Sequence, residues 1–165
     1  GVAAAAVEVA VDCLRRNYKI APYKPYFNTV DAVVVQAGHV LLVRRRAEPG
    51  RNLYAMPGGY LNHKEWSIDG AIRELREETK IKVPVPVLKG NIKISKTYDN
   101  PTRSLRGRII TQVYGVKLPD GDLPKVKGSD DAAKAQWIPL NVFMKMEDQM
   151  FEDHFAIIND IINKM

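Results

Sequence analysis

Cysteine is almost missing from this chain of 165 residues: Cys13 stands alone, so no intrachain disulfide can form and no second thiol sits at metal-ligand spacing beside it. That usage points to a reducing, cytoplasmic setting. No run approaches 18 consecutive apolar residues, which excludes a helical membrane span. Histidine is scarce, and neither His39, His63 nor His154 has a neighbouring Ser or Cys that would suggest a nucleophilic triad. No RRM, KH, zinc-finger or helix-turn-helix signature is legible, so nucleic acid is not the expected partner. The 25 Lys and Arg against 19 Asp and Glu leave a formal charge of +6, which asks for an anionic partner, and phosphates on a small ligand meet that need. Internal repeats and low-complexity tracts are absent too.

The length suits one compact domain that buries about 70% of the surface its unfolded chain would expose. Residues 3–16, AAAAVEVAVDCLRR, read as a short helix ending near Tyr18; its arginines follow the apolar run, the wrong polarity for a signal peptide. A linker marked by Pro22 and Pro25 follows, so residues 1–28 are expected to precede a catalytic domain over 29–165. The chain opens on Gly1, which raises the expectation of a piece of a longer protein.

Thr29 to Gln36 and His39 to Arg45, both β-branched and apolar around the turn Ala37-Gly38, predict a hairpin. A short strand over Leu53–Met56 leads into a diglycine, and a helix is expected over Ser67–Lys80 with Ser67 or Asp69 near its cap. Two prolines make 83–87 a connection or an edge strand. Long strands at 90–98 and 108–118, a last strand at 135–139 and a terminal helix over 151–165 complete the pattern. Interleaved strands and helices of this kind predict an α/β sandwich, a mixed sheet covered by helices on both faces.

The densest chemistry lies in residues 59–81, GYLNHKEWSIDGAIRELREETKI. On a helix that turns 100° per residue, Glu77 and Glu78 fall at about −60° and about +40° from Glu74, so three carboxylates share one face. Ile68, Ala71, Ile72 and Leu75 form an apolar stripe beside them. Like charges at these spacings repel, and a hard divalent cation with oxygen ligands offsets that repulsion. Arg73 can hold one carboxylate by a bidentate hydrogen bond. The plain alternative is a solvated glutamate-rich helix.

The segment upstream, Met56-Pro57-Gly58-Gly59, decides between them. With it, Gly59, Glu65, Arg73, Glu74, Leu75, Glu77, Glu78 and Ile81 meet the pattern G-x5-E-x7-R-E-U-x-E-E-x-G-U, and the chain resembles the Nudix hydrolase family. Lys80 departs, standing where the family usually has glycine near the helix end. Further segments, YKPYFNTVDAVVVQ, RSLRGR, KGSDDAAKAQWIPL and MFEDHF, resemble the C-terminal half of bifunctional nicotinamide mononucleotide adenylyltransferase/Nudix hydrolases.

The resemblance implies a Nudix α/β/α sandwich with a loop-helix-loop motif, and hydrolysis of ADP-ribose to AMP and ribose 5-phosphate. It implies Mg²⁺, with Mn²⁺ as the alternative ion, on the Gly58 carbonyl, Glu74, Glu77 and Glu78, and Glu65 supporting the loop or an outer shell. Asp131, six residues before Trp137, is the expected loop acid that accepts the proton of water, with Asp130 or a box glutamate as alternatives. Arg46, Arg103, Arg106 and Arg108 are candidate substrate contacts, since guanidinium grips phosphate and stacks on adenine. Tyr54, Tyr60 and Tyr98 are candidates for stacking on a base, with packing as the alternative. His63 occupies a variable position and is not expected to bind metal; His154 is expected to pack or cap. A homodimer and a nucleotidyl-transferase domain in a longer parent chain are the partners implied, although no HxGH-type motif occurs here.

Rival substrates are NADH, dinucleoside polyphosphates and oxidised nucleotides. The SQPWPFPxS tail of NADH pyrophosphatases is absent, and Pro101 lies twenty residues beyond Ile81, further than the proline that often marks ADP-ribose enzymes. An ADP-ribose-binding sensor of NAD metabolism is the rival of a different class; intact glutamates and too little sequence after Trp137 for a winged helix argue against it.

Overall fold

The chain is described by a computed structural model over residues 1–18, 23–127 and 135–165. A helix α1 (Val2–Tyr18) is followed by the strands β1 (Phe27–Gln36), β2 (His39–Arg44), β3 (Tyr54–Ala55) and β4 (Gly58–Tyr60). Helices α2 (Ser67–Thr79) and α3 (Val85–Gly90) precede β5 (Ile92–Tyr98), β6 (Ile109–Lys117) and β7 (Ala135–Pro139), and α4 (Leu140–Phe143) and α5 (His154–Ile162) close the fold. One seven-stranded sheet runs β3-β2-β1-β6-β5, with β4 on β1 and β7 on β2. It is mixed: β1 and β6 are parallel, and the remaining pairs are antiparallel. No helix among the described residues is long and apolar enough to cross a membrane.

Alternation along β1 builds two cores. Ala32 and Val34 pack with Leu41, Val43, Ile72, Leu75 and Leu88 under α2 and α3. Val33 and Val35 pack with Val40, Leu42, Phe143, Ile157, Ile158 and Ile161 under α4 and α5. Each fully buried Leu or Ile contributes about 1.5–3 kcal/mol against leaving it exposed, so the two layers hold the sheet from both sides. This is the expected α/β sandwich. The long strand β1 carries no polar residue after Asp31 until Gln36, because both of its faces are covered.

Several elements differ locally from the sequence reading. Residues 85–90 form a helix and not an edge strand, since Pro86 lies in the first turn, where its missing N–H costs nothing. The terminal helix begins at His154; before it, Glu147–Gln149 form a 3₁₀ turn and Glu152 takes φ 43°. At α2 the N-cap is Trp66, without a side-chain cap bond, because the Ser67 hydroxyl is engaged with Tyr114 Oη at 2.5 Å. At the other end Lys80 adopts the left-handed conformation, φ 53° and ψ 29°, that the family's glycine would enter freely, and its N–H donates to the Arg76 carbonyl.

Candidate active site

The site is built where β4 passes between β1 and α2. Gly58 pairs with Asp31 and Gly59 with Val30, and the two glycines face opposite sides of the sheet. A Cβ at Gly58 would lie 2.1 Å from Asp31 Oδ1 and 2.3 Å from the Val30 carbonyl oxygen; one at Gly59 would lie 2.6 Å from Glu74 Oε1. The diglycine therefore makes room for one carboxylate on each face.

On the α2 face Arg73 organises the acids. Its Nε and Nη2 donate to both oxygens of Glu65, at 3.0 and 2.7 Å, and Nη1 donates to Glu74 at 2.9 Å and Glu77 at 3.2 Å. Glu65 also accepts the Asn62 N–H, which closes the box loop onto the helix. The Arg73 hydrogen bonds hold the Glu65 carboxyl below the usual range. Glu78 accepts the Gly58 N–H at 3.2 Å. Burial, with Glu74 and Asp31 adding repulsion, pushes its pKa up to about 8, and burial likewise raises that of Glu74. Among the described residues no three acidic, imidazole or thiol side chains close on one point.

On the opposite face Asp31 is buried and accepts a hydrogen bond from Thr111 at 2.5 Å; burial pushes it up to about 6. Arg103, also buried, donates through Nε and Nη2 to both Asp153 oxygens at 2.9 Å. The Met56 N–H donates to His154 Nδ1 at 3.0 Å, and burial, followed by the charges of Arg103, Arg106 and Arg45, lowers the His154 pKa to about 3. Arg45 lies 3.9 Å from the Phe151 ring centroid and Arg106 5.3 Å from it; Arg106 is also 6.0 Å from that of Tyr60. Asp31, Arg45, Tyr60, Arg103, Arg106, Phe151 and His154, with Arg46, Glu77, Glu78 and Lys127, line a cleft of about 440 Å³.

The fold thus brings Gly58, Glu77, Glu78, Arg46, Arg103 and Arg106 to one cleft, with Glu65, Arg73 and Glu74 bonded beside it. Arg103 arrives already clamped by Asp153. Arg108 is not among the cleft residues: it donates to the Asp99 carbonyl and lies over Tyr26. Tyr60 lines the cleft, whereas Tyr98 donates to Asp160 and Tyr54 carries Arg44 on its ring. His63 is exposed in the box loop, and His154 packs, as expected. Asp130 and Asp131 lie outside the described residues.

Asp31, Arg45, Phe151 and the cleft-facing position of His154 escaped the sequence reading. One signal was available, an aspartate inside the apolar run TVDAVVVQ. A buried charge in a central strand needs a reason.

The site is thus a loop-helix-loop of acids clasped by one arginine, opening on a cleft lined by further arginines of an α/β fold. The chain belongs to the Nudix family and is a hydrolase of that class: the NUDIX domain model matches residues 25–161. It is similar to the ADP-ribose pyrophosphatase of Methanocaldococcus jannaschii, 30% identical over 131 residues that cover 79% of this chain and 70% of the relative. It is also similar to a bifunctional NMN adenylyltransferase/ADP ribose pyrophosphatase from Francisella tularensis, solved in complex with AMP and a Mn ion. Here the identity is 38% and the TM-score 0.82, over 94% of this chain and 46% of that one. The chain therefore spans about half the length of that bifunctional protein. The NUDIX domain of Shewanella oneidensis NrtR, solved with ADP ribose, shares the fold at 24% identity and a TM-score of 0.67, over 90% of this chain and 96% of that one.

Proposed function

We propose that this domain, residues 29–165 with 1–28 as its leading segment, hydrolyses the pyrophosphate bond of ADP-ribose to AMP and ribose 5-phosphate. Water attacks one phosphorus, the P–O bond to the bridging oxygen breaks, and the leaving phosphate keeps the electron pair. The observation that carries the reading is the pair Glu74 and Glu78: two neighbouring half-buried carboxylates of α2 that meet the Gly58-Gly59 backbone, both pushed toward protonation by burial. Carboxylates in that state call for a cation. All donors there are oxygens, which fits a hard divalent ion, Mg²⁺ first and Mn²⁺ second.

Glu74, Glu77, Glu78 and the Gly58 carbonyl would hold that ion. The chemistry it supplies when bound is charge neutralisation at the diphosphate and acidification of the attacking water. Arg73 sets the rotamers of Glu74 and Glu77 and ties Glu65 to the loop. Arg46 and Arg106 bind substrate phosphate from the far wall, joined by Arg45, which the sequence reading did not include. Arg103 shapes that wall through Asp153, and Arg108 lies at the loop's outer end, bonded to the Asp99 carbonyl. Asp131 is the proposed acceptor of the water proton.

Purified protein with Mg²⁺ is offered ADP-ribose, NAD⁺, NADH, diadenosine polyphosphates and 8-oxo-dGTP, and products are followed by chromatography. AMP with ribose 5-phosphate from ADP-ribose is the expected outcome. Glu78→Gln should lower kcat by roughly two to four orders of magnitude with the fold intact. Binding of ADP-ribose without turnover of any substrate would replace this reading with a sensor.

A further inference from the structure

The proposed hydrolysis employs the acids of α2 and the arginines of the far wall and leaves one buried polar group of the cleft, His154, without a task. His154 has one ring nitrogen committed: Nδ1 accepts the Met56 N–H at 3.0 Å. A neutral imidazole that accepts at Nδ1 carries its proton at Nε2. Burial and three nearby guanidiniums keep the ring neutral. Among the described residues Nε2 has no hydrogen-bond partner, and the sole fully buried side-chain polar atom without one is Glu152 Oε2. His154 lines the cleft, where a bound ligand can supply the acceptor for Nε2–H.

Asp31 lines the same cleft. It shares the α5 face of β1 with Val33 and Val35, and its Oδ2 is fixed by Thr111. The wall thus offers one neutral donor and one carboxylate acceptor, while the phosphates have Arg45, Arg46 and Arg106. A phosphate is repelled by Asp31. The amino edge of adenine presents the complementary pair, an N6–H donor beside a ring-nitrogen acceptor.

We propose that His154 and Asp31 form the specificity-determining wall of the cleft, His154 donating Nε2–H to an adenine ring nitrogen and Asp31 accepting from the N6 amine. Hypoxanthine and guanine, which carry an oxygen acceptor at position six, face the Asp31 carboxylate with the wrong group. The proposal rests on the nucleotide reading of the cleft and deepens it.

Two substitutions separate ligand recognition from structure. His154→Asn keeps an acceptor where Nδ1 receives the Met56 N–H and removes the Nε2 donor. His154→Gln keeps a donor near Nε2 and removes the Nδ1 acceptor. Binding of AMP, IMP and GMP is measured by calorimetry on the wild type and both variants, with thermal melting alongside. Wild type should prefer AMP. In His154→Asn, AMP binding should weaken by about tenfold while the fold is retained, with a melting temperature no lower than that of His154→Gln, and KM for ADP-ribose should rise with kcat held within about twofold. His154→Gln should retain the base preference and melt lower. Equal binding of the three nucleotides by the wild type, or an unchanged AMP affinity in His154→Asn, overturns the proposal even if ADP-ribose is hydrolysed. If ADP-ribose is not hydrolysed but AMP is preferred and His154→Asn loses that preference, the recognition wall stands and the hydrolytic reading falls.

Discussion

Substituting the two glycines of the box separately should produce opposite defects. At Gly58 an alanine Cβ meets the Val30 carbonyl oxygen at 2.3 Å and Asp31 Oδ1 at 2.1 Å. The carbonyl belongs to the central strand and cannot rotate away, so β4 must move by on the order of 1 Å. Overpacking of that kind costs about 1–3 kcal/mol, which for a domain of this size lowers the melting temperature by about 2–12 °C. At Gly59 the alanine Cβ meets Glu74 Oε1 at 2.6 Å, the free end of a flexible side chain. Glu74 can swing aside at the loss of its partly exposed bond to Arg73, less than about 1 kcal/mol. Gly59→Ala should therefore melt close to the wild type, yet lose activity on the order of 100-fold, because Glu74 leaves the position proposed for metal binding. Thermal melting by circular dichroism and Mg²⁺-dependent turnover of ADP-ribose test both halves. A Gly58→Ala protein as stable as the wild type, or a Gly59→Ala protein less stable than Gly58→Ala, would refute the packing argument.

The raised pKa of Glu78, about 8, means that the folded state binds a proton more tightly than the unfolded chain. In chelator-treated protein this stability is fully present below pH about 4.5 and is lost as pH rises to about 8, on the order of a few kcal/mol, and Mg²⁺ should restore it; urea titrations at pH 5 and 8 showing no such fall would contradict the burial of Glu78. Asp153→Asn deprives a buried guanidinium of its charge partner. Because Asp153 keeps some solvent contact, the loss should fall at the low end of the roughly 3–5 kcal/mol typical of broken buried pairs, and Arg108→Ala, measured beside it by denaturant unfolding, should change little. Lys80→Gly relieves a left-handed residue and should raise stability by about 1 kcal/mol, or about 2–4 °C; a lower melting temperature would mean that the lysine side chain contributes more than its backbone costs.

The helix of the box was readable because its information is local. The spacing of Arg73, Glu74, Glu77 and Glu78 against Ala71, Ile72 and Leu75 specifies both faces before any tertiary contact forms. The hairpin β1–β2 and the terminal helix were legible for the same reason, although helix ends shifted where tertiary partners won. Ser67, a good N-cap by type, gives its hydroxyl to Tyr114 on β6, and Trp66 takes the cap position. The prolines at 84 and 86 were ambiguous, since they suit both a strand edge and a helix start.

What the amino-acid order alone determined, then, is the acidic helix, its diglycine approach and the alternating strands, all set by backbone periodicities within a few residues. Only the tertiary structure decided what faces that helix. The parallel pairing of β1 with β6 sets Thr111 on Asp31, 80 residues apart, and the return of the chain to α5 sets His154 on Met56, 98 residues apart. Arg45, Arg103 and Arg106 meet the cleft while holding Pro49, Asp153 and Glu152 respectively, whereas Arg108 is turned to the Asp99 carbonyl outside it; which of these happens depends on the groups the closed sheet delivers to each. A guanidinium is the same at every one of those positions; burial and partner assign its role.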